Sequence, residues 1–201
     1  MPDGSSTLPC RIQSRLSGYY GIDGAPVVDA FIEPADAGRE TLFVREEGGA
    51  LELLLRLPRA ALEAGARARF DELCQVIEGV SHFVYLAERA RRELPATQLE
   101  LELQAEVDKY VLLSHGAGSW RFHPARAARM RARLFDRVRF LHPAHTETGA
   151  RYRMANDLAA RFAEGLEARF GRTGRHDQMR AALRRFYGAG QAEKIALARA
   201  A

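Results

Sequence analysis

The strongest limit on how this chain folds comes from four alternating leucines, which are Leu51, Leu53, Leu55 and Leu57. Successive side chains of a β-strand point to opposite faces, so all four leucines share one face of a predicted strand. Residues 27–33 and 40–45 also have strand composition, and the glycine-bearing residues 46–49 predict a hairpin loop. A three-stranded antiparallel sheet is barely stable alone, so its leucine face must be covered by helices.

Helical periodicity dominates the rest of the chain. Apolar residues recur every three or four positions, as one face of a helix requires, both before the sheet and after it. Ile12, Leu16 and Tyr19 predict a short N-terminal helix. The later stripes predict helices over residues 70–92, 99–113, 124–141 and 150–170, and two short helices after residue 177.

We therefore predict a protein of the α+β class. Residues 1–64 are expected to form the N-terminal helix and the small three-stranded antiparallel sheet. Residues 65–201 are expected to form a predominantly helical bundle of five to six helices. A chain of 201 residues suits one well-buried core, so we expect the sheet and the bundle to form one compact unit.

Neither a membrane nor a secreted location is indicated. No apolar run approaches the roughly 18 residues that a membrane span needs. The first residues lack the basic and apolar regions of a signal peptide. Cys10 and Cys74 are too few to form a disulfide framework. The expected location is the cytoplasm.

Charge divides the chain into two halves. Residues 1–117 hold 12 basic and 19 acidic side chains, whereas residues 118–201 hold 18 basic and 7 acidic ones. Of the 30 basic residues only Lys109 and Lys194 are lysines, a skew typical of a GC-rich bacterial genome. Arginine abundance alone is therefore no sign of phosphate binding, and the positions of the arginines matter more.

An arginine stripe is the most pointed basic feature of this arginine-rich chain. Its members are Arg126, Arg129, Arg133 and Arg137, with Trp120 and Arg121 just before them. Such a stripe can contact phosphates while the aromatic ring stacks on a base. It can also bind an acidic protein partner, or pair within the chain with the acidic predicted helix that carries Glu100, Glu102, Glu106 and Asp108. We favour pairing within the chain, because the two halves carry opposite charge.

Acidic residues and a histidine one turn apart on two neighbouring predicted helices are candidate metal ligands. The four candidates are Glu78, His82, Glu102 and Glu106. Metal sites of helix bundles use Glu-x-x-His pairs, whereas both pairs here have i, i+4 spacing. We therefore expect a structural role for these residues, in solvent or in an ion-paired contact between helices, and no cofactor.

No catalytic motif is found in the sequence. A nucleophile elbow, a P-loop and a dinucleotide-binding fingerprint are all missing. The predicted function is a non-enzymatic regulatory or adaptor protein of a bacterial cytoplasm, binding a protein partner or a second copy of itself. Two alternatives stay open: a nucleic-acid-associated protein that uses the arginine-rich helix, and a metal-dependent helical-bundle enzyme.

Elemental analysis tests the metal alternative. We expect folded protein purified without chelator to hold no stoichiometric transition metal, because neither pair has the spacing of a bundle site. A stoichiometric metal in the parent protein would contradict this expectation. Its loss from both His82→Ala and Glu106→Ala, but not from the control Asp71→Ala, would identify the ligands.

Overall fold

The computed structural model describes residues 6–48, 50–115, 123–171 and 173–201. These ranges hold eight α-helices and one three-stranded sheet, which confirms the α+β class. The chain divides into two compact units. The first contains Met1–Gly18 and Ile22–Pro95, and the second contains Tyr19–Gly21 and Ala96–Ala201.

The first unit holds the sheet and three helices, although the last residues of its first helix belong to the second unit. Its elements are α1 (Leu8–Tyr20), β1 (Ile32–Ala35), β2 (Thr41–Glu47), β3 (Ala50–Pro58), α2 (Arg59–Ala64) and α3 (Phe70–Arg91). The long helix α3, which the sequence grouped with the bundle, packs on β3. The N-terminal helix is confirmed, with Ile12 and Leu16 buried as predicted.

The sheet is mixed, with the strand order β1-β3-β2. Strands β2 and β3 form the predicted antiparallel hairpin, in which Glu47 lies opposite Ala50. The prediction of an all-antiparallel sheet is wrong, because β1 runs parallel to β3 with Ile32 opposite Leu55. The predicted first strand is also misplaced, since Val28–Phe31 is a 3-10 turn and β1 begins at Ile32. Alternation predicts which face a side chain occupies but not the direction of the neighbouring strand.

The leucine face is buried where α3 crosses it. Leu55 and Leu57 are fully buried, whereas Leu51 and Leu53 are half-buried. The helix approaches this closely because residue 79 is glycine. A Cβ at Gly79 would lie 2.8 Å from the Leu57 Cδ2 atom and 3.0 Å from the Leu55 Cδ1 atom. A methyl group there would force the leucines or the helix to move.

The second unit is helical throughout its regular structure. Its elements are α4 (Gln98–Ser114), α5 (Pro124–Arg131), α6 (Glu147–Leu166), α7 (His176–Gly188) and α8 (Gln191–Arg199). The helix predicted over the alternating stretch at the start of α4 is confirmed. Thr97 and Glu100 form a capping box there: the Thr97 side chain accepts from the Glu100 N–H, and the Glu100 carboxylate accepts from the Thr97 N–H. This pair satisfies two backbone donors that the helix itself leaves open.

The third predicted helix is shorter than the sequence indicates. Helix α5 ends at Arg131, a π-helical turn covers Ala132–Asp136, and the chain then leaves the helix. The extension of the apolar stripe to Val138 and Leu141 is therefore wrong, and Leu141 is 69% exposed. An apolar residue in helical register stays helical only where a neighbouring surface covers it, because packing supplies most of the helix's stability.

No helix within the described ranges combines the length and the apolar character needed to cross a membrane.

Truncation of one leucine tests the packing of α3 on the sheet. We expect Leu55→Ala to lower the free energy of unfolding by about 2–5 kcal/mol, because it removes buried contacts and leaves a cavity. The control Leu54→Ala, on the opposite and partly exposed face of β3, should cost much less. Urea denaturation monitored by circular dichroism measures both. Equal losses would show that the leucine face is not the buried one.

Candidate functional site

The arginines of the predicted stripe are exposed residues of the second unit. Arg126 and Arg129 are on α5, Arg133 is in the π-helical turn, and Arg137 follows it; all four are exposed. Trp120 and Arg121 lie outside the described residues. The shortening of α5 leaves Arg137 beyond the helix, so the four residues do not form one continuous helical stripe.

Arg126, Arg129 and Arg137 have no acidic partner among the described residues. The Arg126 Nε atom donates to the Leu113 carbonyl at 2.8 Å. The side chains of Arg129 and Arg137 make no ion pair or hydrogen bond with any residue in the described ranges. Arg131, on the same helix as Arg129, does have an acidic partner: its Nε atom lies 3.1 Å from the Glu167 Oε1 atom. No acidic side chain of the described residues therefore neutralises the positive charge of Arg129 and Arg137 at contact distance.

The acidic residues of α4 are engaged in the interior instead. Glu100 belongs to the capping box, and the Glu106 carboxylate pairs with the Lys109 Nζ atom at 2.8 Å. Asp108 accepts from the Gln104 side chain at 2.8 Å and from the Tyr20 hydroxyl. Within the described ranges, none of the ion pairs joins Arg126, Arg129 or Arg137 to α4.

Exposed apolar side chains accompany the arginines. Val138, Leu141 and Met154 are the large apolar residues that stand exposed among the described residues of the second unit. Val138 and Leu141 lie in the same irregular segment as Arg137 and Arg139, between the π-helical turn and α6. We call Arg129, Arg133, Arg137, Val138 and Leu141 the basic surface.

The segment that carries Leu141 is held on α6 by Arg153. The Arg153 Nη1 atom donates to the His142 carbonyl at 3.0 Å and to the Gly149 carbonyl at 2.9 Å. Its guanidinium group also lies 4.5 Å from the centroid of the Phe140 ring, a cation–π contact. These contacts fix the residues on both sides of Leu141, so its exposure is a property of an anchored segment.

The start of α6 anchors the other end of the same segment. The Thr146 hydroxyl caps the helix by accepting from the Gly149 N–H at 3.0 Å, and it donates to the Pro143 carbonyl at 2.8 Å. A Cβ at Gly149 would lie 1.9 Å from the Pro143 carbonyl oxygen, so no side chain fits at this position. Glycine is required here for the segment to reach α6.

The two lysines of the chain are both buried in the second unit. The Lys194 Nζ atom on α8 donates to the Gln104 Oε1 atom at 2.6 Å and to the Phe186 carbonyl at 2.7 Å. It also lies 4.3 Å from the centroid of the Phe186 ring. Sequence reasoning missed this residue. The rarity of lysine could have indicated it, because this arginine-rich chain has lysine at only two positions.

Gln104 extends this contact into a buried polar network. Its side-chain amide donates to the Asp108 carboxylate at 2.8 Å and to the Tyr20 hydroxyl at 3.2 Å. The Tyr20 ring stacks on Tyr187 with 4.2 Å between centroids. Burial, and then the negative charge of Asp108, raises the pKa of Tyr20 well above its usual range. The phenol therefore stays protonated and donates to Asp108.

The four candidate metal ligands are divided between the two units. Glu78 and His82 are on α3 in the first unit, and Glu102 and Glu106 are on α4 in the second. Glu78 and Glu102 are buried, so a fully solvated face is excluded for them. Each unit by itself supplies two of the four residues. In the second unit, Glu106 is already paired with Lys109.

Comparison of the chain with protein-family models, curated proteins and solved structures finds no match.

Replacement of Lys194 tests whether the buried network stabilises the second unit. We expect Lys194→Met to lower the free energy of unfolding by about 1–3 kcal/mol, because two buried acceptors lose their donor. Lys194→Arg should also destabilise, since the larger planar guanidinium does not fit the place of an ammonium group. Arg199→Met, an exposed change on the same helix, is the control. Urea denaturation measures the free energy of unfolding of each variant. A Lys194→Arg variant as stable as the parent protein would contradict the structural role assigned to Lys194.

Proposed function

We propose that this chain is a non-enzymatic regulatory or adaptor protein of a bacterial cytoplasm, and that it binds an acidic protein partner through the basic surface. The observation that carries the proposal is the exposure of Leu141 four residues after Arg137, which, like Arg129, has no acidic partner among the described residues. An exposed leucine alone is ordinary, but an anchored one among uncompensated charges is typical of a binding site.

The chemistry of the basic surface suits a protein partner. Arginine is enriched at protein interfaces, and apolar residues that become buried on binding supply much of the affinity. Uncompensated positive charge speeds the encounter with an acidic surface. The contacts of Arg153 hold the apolar segment in place before binding, so less conformational entropy is lost when a partner docks.

The interior of the second unit supports a non-enzymatic role. Lys194 and Asp108 are ionisable groups in this interior, and both are buried: Lys194 donates to Gln104 and to the Phe186 carbonyl, and Asp108 accepts from Gln104 and Tyr20. A general acid or base has to come within hydrogen-bond reach of its substrate. Groups sealed in this way suit a structural role.

Nucleic acid is the competing occupant of the basic surface. Phosphate contacts depend on the number of cations and weaken steeply as salt rises. An aliphatic side chain such as Leu141 contributes no binding energy to phosphate contacts. The two occupants therefore differ in their response to the loss of charge and to the loss of the leucine.

Affinity capture from the native cell lysate tests the proposal. We expect the parent protein to retain a defined set of proteins after nuclease digestion, and both Arg129→Glu/Arg137→Glu and Leu141→Asp to reduce that set at least tenfold. Arg161→Glu reverses the charge of an exposed arginine elsewhere on the second unit and should change nothing.

Two results would overturn the proposal. One is a captured set that neither the double charge reversal nor Leu141→Asp alters. The other is a captured set that nuclease digestion abolishes. If the double charge reversal also weakens that capture and Leu141→Asp does not, the basic surface is assigned to nucleic acid.

A further inference from the structure

The two edges of the sheet differ in how they are protected. An open edge presents unpaired backbone groups that can pair with another chain, and proteins block such edges with short strands, proline or charge. Strand β1 has four residues and contains Pro34. Strand β2, at the other edge, has seven residues and no proline, carries its charges only at its end (Arg45, Glu46 and Glu47), and pairs only with β3 within the described ranges.

The hairpin determines which backbone groups of β2 point to the open edge. Two residues connect Glu47 to Ala50, and a connection of this length is closed by a hydrogen-bonded pair. Bonded and non-bonded pairs alternate along an antiparallel ladder. Thr41, Phe43 and Arg45 therefore bond to β3 as Glu47 does. The N–H and C=O groups of Leu42, Val44 and Glu46 point outward.

Apolar side chains stand exposed along this edge. Val44 is 50% exposed and Phe43 is 44% exposed, on opposite faces of the strand. Leu54 lies directly opposite Phe43 on β3 and is also exposed. An open edge with apolar side chains on both faces favours the addition of a further strand.

We propose that β2 pairs antiparallel with β2 of a second copy of this chain, across a two-fold axis at Val44. The pairing joins the two sheets into one continuous sheet and buries Val44 against its own counterpart. A two-fold axis makes the interface self-complementary, since each residue finds the same partner in both copies.

Charge and length favour this register. With the axis at Val44 all of β2 is paired: Leu42 lies opposite Glu46, Thr41 lies opposite Glu47, and Phe43 lies opposite Arg45. No like charges face each other in this register. An axis at Glu46 would place two carboxylates opposite each other, and an axis at Arg45 two guanidinium groups. An axis at Leu42 or Phe43 would leave Glu46 and Glu47 unpaired.

Site-specific cross-linking tests the register. In a Cys10→Ser/Cys74→Ser background, Val44→Cys places two thiols on Cα atoms about 5.5 Å apart, within the range of a disulfide. Leu42→Cys is the control, because its two copies would lie roughly 13 Å apart along the strands. We expect mild oxidation to link Val44→Cys into a covalent dimer at least ten times faster than Leu42→Cys. Equal rates, or a faster link through Phe43→Cys, would overturn the register.

Sedimentation equilibrium of the full chain tests the association itself. We expect the parent to be a dimer and Val44→Lys to be a monomer with an unchanged circular dichroism spectrum, because the two ammonium groups would meet at the axis. Val27→Lys, at a 59% exposed valine outside the strands, should stay dimeric. A parent that is monomeric at about 100 µM, or a Val44→Lys variant that remains dimeric, would overturn the proposal.

Discussion

The side-chain amide of Gln104 is the contact on which the interior of the second unit depends. Helix α4 is buried on almost every side, so each of its polar groups has to find a partner inside the protein. An ammonium group can only donate, and a carboxylate can only accept. An amide does both, so Gln104 accepts from Lys194 and donates to Asp108 and Tyr20. One residue thereby links α8, α4 and the end of α1.

Much of the secondary structure could be predicted, because it follows from local periodicity and capping. The leucine alternation predicted the buried face of β3, and the apolar stripes predicted α3, α4 and α6. The direction of β1 could not be predicted, since a strand's pattern does not encode which neighbour it joins. The end of α5 was also missed, because Leu141 continues the helical spacing although no described neighbour buries it.

The candidate site was harder to predict than the fold. Charged residues on a helix usually lie in solvent, so the acidic side of α4 gave no sign of its burial. The exposed arginines were identified by their spacing, but the segment after α5 depends on contacts of Arg153 and Gly149 that are distant in sequence from Leu141. Which side of a charged helix is buried depends on the whole packing of the unit, and one sequence does not reveal it.

The difference in exposure between the arginines and the lysines limits the chemical modification of this protein. Arginines carry the exposed positive charge, whereas both lysines are buried and hydrogen-bonded. At lysine, acetylation, amine-reactive labelling and the attachment of a degradation tag all require an accessible, uncharged side-chain amine. In the folded state neither lysine side chain meets that requirement. A lysine-directed modification therefore marks chains whose second unit has opened, and turnover through such a tag would begin only after unfolding.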